Sequence, residues 1–282
     1  MTKFILRGMA IAAVALASPT GAVELRISDV SHIHGVGFDG SVAGAVLLAT
    51  HYGLYRALPD GAAMAVSTDT SDYMGFSPDP SDSSRLLASG HPGQGGNIGV
   101  ILSTDGGVNW TRIADGVNGP VDFHAMTISR ADPKVIYGLY DGIQVSRDGG
   151  VSWTLAGPVP GQVIDLAASA SSPDRLYAGT VDGLLESKDA SASWAPAGPA
   201  GVPATMVEAT DDGSLYAFFA GAGLFHLSPN GKWEALASGF GERYLLHLSA
   251  DPSDTSHLVA VNDQSAVLES HDGGETWAEF GK

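Results

Sequence analysis

An eight-residue motif, Ser-x-Asp-Gly-Gly-x-x-Trp, recurs along this chain at intervals near 40 residues. Three nearly identical copies span residues 103–110, 146–153 and 270–277, and weaker copies span residues 187–194 and 228–233. All 5 tryptophans of the chain close these copies, at successive spacings of 43, 41, 39 and 44 residues. A regular period that carries a turn and a tryptophan indicates one supersecondary unit repeated along the chain.

The chemistry of this repeat motif predicts a tight turn between two strands. Its glycines accept positive φ without steric cost, and its Ser and Asp oxygens can accept hydrogen bonds from backbone N–H groups inside the turn. The Trp then begins the next strand and packs as a large apolar wedge. We assign the motif a structural role, carried by Ser103, Asp105, Gly107, Trp110, Ser146, Asp148, Gly150, Trp153, Ser270, Asp272, Gly274 and Trp277.

The intervals between motifs predict short strands, separated by turns rich in Pro and Asp such as residues 77–82 and 251–254. Four short strands per unit, arranged radially, predict an all-β fold, a β-propeller of four-stranded antiparallel blades. We count six blades, with a seventh, degenerate blade as the alternative. Residues 24–30 are expected to form one more strand that pairs with the last blade and closes the ring.

The first 22 residues have the composition of a secretory signal peptide. Lys3 and Arg7 give a positively charged start, and residues 9–16 form an apolar run that is followed by small residues. The run is too short to span a bilayer. We expect cleavage after Ala17 or Ala22, and export to a bacterial periplasm or secretion. Residues 23–282 would then form a single propeller domain with no membrane span.

The charge and cysteine content limit the partners of the chain. Its formal net charge is −17 at pH 7, which disfavours binding to nucleic acid or to anionic lipid and favours binding of cations. It contains no cysteine, so stability in an oxidising compartment must come from the core rather than from disulfides.

The predicted topology also places the 9 histidines of the chain. With the strands of each blade labelled A to D, the B–C and D–A connections share one rim of the central channel. The repeat motif joins C to D and lies at the other rim. On this assignment five histidines of blades 1 to 3 share the first rim: His32, His34, His51, His91 and His124. We interpret each of the other four as structural: His226, His247, His257 and His271.

Five histidines at one rim indicate a metal site. His32 and His34 should face one side of a strand, because side chains alternate along it, and neutral imidazole is a preferred ligand of late first-row metals. Copper is favoured over zinc because methionines lie nearby. A purely structural role, with imidazoles bonded to water and backbone carbonyls, remains the alternative. Further rim residues are Met74, Tyr73, Met126 and Arg243, with Asp72 and Asp122 as additional ligand candidates.

The repeat motif resembles the Asp-box, or BNR repeat, of sialidase-like β-propellers, over nearly the whole chain after residue 22. The resemblance implies a propeller fold and a glycosyl hydrolase activity. Sialidases grip a carboxylate with three arginines, and only Arg243 maps near the rim, which argues against a sialidase. A broader glycosidase needs two carboxylates about 5–10 Å apart, for which the candidates are Asp72, Asp122 and Asp141.

Other propellers with this motif, similar to photosystem assembly factors and sortilin-type receptors, bind proteins. The resemblance therefore also implies a third function class, a scaffold with a periplasmic protein partner. In that case the histidines at the rim would be incidental, and the acidic surface would meet a basic partner.

Overall fold

A computed structural model describes residues 25–282 of the chain. These residues form a β-propeller of six antiparallel blades; five blades have four strands, and blade 1 has the same four plus the short β1 at its outer edge. The predicted six-bladed fold is confirmed. The predicted signal peptide lies outside the described residues. Among residues 25–282, no helix has the length and apolar character needed to cross a membrane.

The strands are numbered in chain order. Blade 1 contains β1 (Leu25–Arg26), β2 (Ile33–Phe38), β3 (Val46–Thr50), β4 (Gly53–Ala57) and β5 (Ala62–Ala65), with a 3-10 turn at Ile27–Asp29. Blade 2 contains β6 (Asp72–Asp79), β7 (Asp82–His91), β8 (Val100–Ser103) and β9 (Thr111–Ala114). Blade 3 contains β10 (Ala125–Ile128), β11 (Ile136–Leu139), β12 (Ile143–Ser146) and β13 (Thr154–Gly157).

The second half of the ring follows the same plan. Blade 4 contains β14 (Val163–Ala168), β15 (Leu176–Thr180), β16 (Gly183–Ser187) and β17 (Ala195–Ala200). Blade 5 contains β18 (Ala204–Ala209), β19 (Leu215–Phe219), β20 (Gly223–Leu227) and β21 (Trp233–Ala237). Blade 6 contains β22 (Leu245–Asp251), β23 (Asp254–Asn262), β24 (Val267–Ser270) and β25 (Ala278–Glu279).

The innermost strands β2, β6, β10, β14, β18 and β22 surround a central channel. Each of them contacts the innermost strand of the next blade, and β22 contacts β2, so the ring is closed. The cavity that these strands line has a volume of about 150 Å³. Connections between strands therefore converge at the two ends of this channel, where they bring side chains of different blades together.

The repeat motif joins the third and fourth strands of its blade, as its turn chemistry predicts. In residues 146–153, Ser146 Oγ accepts a hydrogen bond from the Gly150 N–H at 2.9 Å and donates one to Asp148 Oδ1 at 2.8 Å. The indole N–H of Trp153 donates to the Gly150 carbonyl at 2.9 Å. The copies at residues 103–110 and 270–277 form the same bonds. The motif thus stabilises its turn by hydrogen bonds among its own residues.

Each tryptophan packs between its own blade and the preceding one. The indole of Trp110 in blade 2, for example, joins the apolar cluster between blades 1 and 2 and lies 5.0 Å from the Tyr73 ring. Blade 1 has no tryptophan. Its interface with blade 6 is filled instead by Ile27 and Val30 of the N-terminal segment.

The prediction that a strand within residues 24–30 pairs with the last blade is wrong about the partner of that strand. Within the described chain, β1 pairs with β5 at the outer edge of blade 1 and not with blade 6. The ring is closed between blades 6 and 1 by apolar packing, in which Val259 and Val261 of β23 meet Val36 of β2. Burial of these apolar side chains holds blades 6 and 1 together without a hydrogen-bonded strand between them.

Replacement of Ser146 by alanine is expected to lower the free energy of unfolding by about 1–3 kcal/mol, because the buried Gly150 N–H loses its acceptor. Urea denaturation followed by tryptophan fluorescence measures the change. Ser228→Ala, in a degenerate copy of the motif, is the matched control. The Ser228 hydroxyl lies in an exposed turn and bonds to Asn230 and to the Lys232 carbonyl, so its loss should cost less than about 0.5 kcal/mol. Equal losses of unfolding free energy in the two variants would contradict this stabilising role of the motif.

Candidate metal centre

Three side chains from blades 1 and 2 meet at the end of the channel opposite the repeat motif. His34 lies at a β-bulge of β2, where the pairing with β3 steps from Ile33 directly to Gly35. A bulge leaves one residue unpaired and re-aims its side chain. His51 follows β3 in the turn to β4, and Asp72 is the first residue of β6. Strand connections of neighbouring blades thus converge on one point.

We call His34, His51 and Asp72 the rim triad. The Nε2 atom of His34 lies 3.6 Å from Asp72 Oδ1, and the Nδ1 atom of His51 lies 2.7 Å from Asp72 Oδ2. Each of the three residues offers one ligand atom, and these atoms lie within 4.8 Å of one another. Imidazole nitrogen and carboxylate oxygen form a donor set that suits zinc or copper.

The rim triad continues into blade 3 through further histidines. His91 Nε2 lies 3.7 Å from Asp72 Oδ2 and 3.3 Å from Asp122 Oδ2. His124 Nε2 lies 3.4 Å from the same Asp122 oxygen. We call the triad together with His91, Asp122 and His124 the rim cluster. Two carboxylates and four imidazoles from three blades therefore lie next to one another.

The two carboxylates of the rim cluster are buried with little compensation. Asp72 is 8% and Asp122 is 4% exposed. Within residues 25–282, all their ion-pair partners are histidines, and the Oδ1 atom of each lacks a hydrogen-bond partner. A buried carboxylate is costly unless a cation or sufficient hydrogen bonds compensate it. The cluster is therefore an attractive site for a cation.

The imidazole of His34 is suited to act as a ligand. Burial lowers its pKa, and neighbouring His51, His32 and His124 lower it further, while Asp72 acts in the opposite direction. The lowered pKa favours the neutral ring, which is the form that binds a metal. Its Nε2 atom is buried and lacks a hydrogen-bond partner among the described residues.

His32 does not share a strand face with His34. It precedes β2 and has a φ of 53°, in the left-handed region. Together with the bulge at His34, this conformation breaks the alternation that the His-x-His spacing suggests. The His32 ring lies 6.0 Å from the His51 ring and 6.3 Å from the Tyr52 ring. It is therefore close to the rim triad but is not one of its three members.

The two predicted methionines are placed by the core of the propeller. Met74 is half-buried in β6, where it pairs with Ser89 of β7. Met126 is buried in the cluster between blades 2 and 3 and lines the channel. The three members of the rim triad by themselves offer nitrogen and oxygen donors.

The remaining predicted rim residues have other surroundings. Tyr73 is fully buried, and burial raises the pKa of its hydroxyl. Arg243 forms an ion pair with Asp263 at 3.5 Å in blade 6. Asp141 lies exposed in the turn after β11 with a φ of 50°, and no ion pair of the described chain includes it. Of the three predicted carboxylates, only Asp72 and Asp122 belong to the rim cluster.

From the sequence, Asp72 and Asp122 are additional ligand candidates beside the five histidines, whereas the structure places both at the centre of the rim cluster. The available signal was their position just before or at the first strand of a blade. Each stands beside a buried aromatic residue, Tyr73 or Phe123. That aromatic residue fixes the strand in the core and leaves the preceding aspartate at the channel mouth.

No protein-family model and no curated protein matches the sequence. Solved structures share the fold. A family 74 xyloglucanase from Xanthomonas campestris superposes with a TM-score of 0.60 at 20% identity, covering 88% of this chain and 45% of the enzyme. YCF48 bound to D1 peptide gives a TM-score of 0.53 at 18% identity, over 97% of this chain and 90% of that chain.

A gluconolactonase, also from Xanthomonas campestris, has a TM-score of 0.61 at 12% identity, over 86% of this chain and 90% of that chain. The present chain thus spans less than half of the xyloglucanase. At these identities the similarity shows the β-propeller fold alone, because one fold hosts many functions.

Proposed function

We propose that this chain is an exported β-propeller that binds a divalent metal ion, with copper favoured over zinc, at the rim cluster. The observation that carries the proposal is the pair His34 Nε2 and Asp72 Oδ1. Both atoms are buried, neither has a hydrogen-bond partner within the described chain, and they lie 3.6 Å apart. Two ligands bound tetrahedrally to one zinc ion are ~3.4 Å apart, so the gap matches a shared ion.

The roles of the residues follow from their surroundings. His34 and Asp72 supply the buried ligand atoms, and His51 provides the third member of the rim triad. His91, Asp122 and His124 surround the triad and add negative charge and further imidazoles. Copper(II) is favoured because it binds nitrogen and oxygen donors more tightly than zinc does. The bound ion would compensate carboxylates whose Oδ1 atoms lack a hydrogen-bond partner within the described chain.

Metal titration tests the proposal. We expect the protein to bind copper(II), with nitrogen hyperfine coupling in the electron paramagnetic resonance spectrum. His34→Ala and Asp72→Asn are each expected to weaken binding by at least about tenfold, measured by competition with a chelator. His226→Ala, which removes an imidazole packed on Tyr216 in blade 5, is the matched control and should leave the affinity unchanged. A wild-type protein without nitrogen-coupled copper would overturn the proposal.

A glycosidase activity is the second candidate. Asp72 and Asp122 both approach the Nε2 atom of His91, at 3.7 and 3.3 Å, so two carboxylates share one site at the channel mouth. This arrangement, with the fold of the xyloglucanase, supports a hydrolase in which the pair acts as acid and base. Hydrolysis of chromogenic glycosides that Asp122→Asn abolishes would favour this candidate. Absence of turnover, with and without added metal, would count against it.

A further inference from the structure

A second group of metal-ligating side chains lies in blade 6, at the end of the channel where the repeat motif lies. His257 belongs to β23, Glu269 to β24, and His271 to the repeat motif that follows β24. The strands pair with Leu258 opposite Ser270 and Val259 opposite Glu269. Because side chains alternate along a strand, this register places all three on the same face of the blade.

The three side chains are close enough to share an ion. The rings of His257 and His271 are stacked, with centroids 4.3 Å apart and an interplanar angle of 25°. Glu269 Oε2 lies 3.5 Å from His271 Nε2 and 3.9 Å from His257 Nε2. One ligand atom of each residue lies within 4.8 Å of the others.

An unpartnered ring nitrogen favours an ion over an ordinary charge pair. The Nε2 atom of His257 is buried and has no hydrogen-bond partner in the part of the chain that is described. A divalent ion bound there would compensate the Glu269 carboxylate, which lies 3.5 Å from His271 Nε2, and would take the free His257 nitrogen as a ligand.

The surroundings of His257 orient it for this role. Asp251 Oδ2 lies 3.5 Å from its Nδ1 atom, on the side away from Glu269. A carboxylate beside one ring nitrogen keeps the proton there and leaves the other nitrogen free for a metal. The Phe38 ring packs against the imidazole at 4.9 Å, edge to face, and restricts its rotation.

We propose that His257, Glu269 and His271 form a second divalent-metal site, separate from the rim cluster and independent of the function proposed for it. Two imidazoles and one carboxylate are a donor set that binds zinc(II), as they also bind copper(II), with a further position left for water or another ligand. We take zinc(II) as the probe ion for this site. The site lies partly on the repeat motif and so gives one copy of that structural turn a binding role.

Zinc titration of the full chain tests this site. In the double variant His34→Ala, Asp72→Asn, which removes two of the three members of the rim triad, we expect one zinc(II) per chain to remain. Zinc should then shift the side-chain nitrogen resonances of His257 and His271 in two-dimensional NMR spectra. Adding His271→Ala should weaken that binding by at least about tenfold. The side chain of His271 is 68% exposed, so its removal leaves the core intact.

Glu269→Gln is the second variant, because it removes the charge with little change in shape, and it should also weaken zinc binding. His226→Ala remains the matched control. The proposal is overturned if the rim double variant binds no zinc, or if His271→Ala and Glu269→Gln both leave its affinity unchanged. Because the two sites are mutated separately, loss at the rim cluster and loss in blade 6 are distinguishable outcomes.

Discussion

Replacement of Gly90 by alanine is expected to destabilise the fold and the rim cluster together. Gly90 lies in β7 with a φ of +122°, a conformation that side chains rarely adopt, and an added Cβ would lie 2.0 Å from the Asp72 carbonyl oxygen. The strained conformation alone costs about 1–3 kcal/mol, and the overlap with backbone adds to it, so we expect a loss of at least about 3 kcal/mol.

The same substitution must displace the start of β6, where Asp72 holds the rim triad. We therefore expect weaker copper(II) binding even in the fraction of protein that remains folded. Denaturant unfolding gives the first quantity, and metal competition at low temperature gives the second. Gly93→Ala is the matched control, because no atom lies within 4 Å of the added Cβ and its φ is not in the left-handed region. A Gly90→Ala protein with wild-type stability would contradict the close approach of these strands.

The second large effect concerns Asp165 on β14, which lines the channel. Burial raises the pKa of its carboxyl to about 7, although the N–H groups of Val207 and Leu166 donate to its oxygens at 2.8 and 2.9 Å and act to lower it. Its ordinary value is 3.8. Between these two pH values the folded protein holds a proton that the unfolded chain releases.

The sign of the resulting pH dependence follows from this proton. The contribution of Asp165 to stability is fully present below about pH 4 and is lost as the pH rises through about 7. A difference of about 3 pKa units corresponds to at most about 4 kcal/mol, and partial access of channel water reduces it, so we expect about 2–4 kcal/mol. His247, whose pKa burial lowers to about 4, acts in the opposite direction over the same range.

Comparison with Asp165→Asn isolates the effect of the carboxyl group. The free energy of unfolding of both proteins is measured by urea denaturation from pH 4.5 to 8. We expect the difference between wild type and variant to change by about 2–4 kcal/mol across this range, with the wild type losing more as the pH rises. The amide cannot ionise, and the contribution of His247 cancels because both proteins contain it. Parallel curves would show that Asp165 ionises normally in the fold.

Much of the architecture was predictable because it is encoded in contiguous residues. The repeat motif contains its own donors and acceptors, so Ser146, Asp148 and Gly150 form the same turn in any blade. Once this turn is assigned to the connection between third and fourth strands, the position of every other strand in its blade follows. These strand positions predict which connections share a rim. The structure brings His34, His51, His91 and His124 close to one another at that rim.

The parts that were not predictable depend on contacts between distant segments. The bulge at His34 and the left-handed His32 break a simple alternation, and no local pattern marks them. The interface between blades 6 and 1 has no tryptophan from blade 1, and Ile27 and Val30 fill it instead. Their burial there positions the preceding strand β1 beside β5. The stack of His257 on His271 needs the register of β23 against β24.

The sequence by itself therefore determined the six-bladed ring and the end of the channel at which the histidines gather. Glycine conformations, turn hydrogen bonds and apolar periodicity act over a few residues and are visible in the chain. Only the tertiary structure decided that Asp72 and Asp122 are buried among imidazoles. Their burial depends on how closely neighbouring blades pack around the channel, and that distance is set by side chains far apart in the sequence.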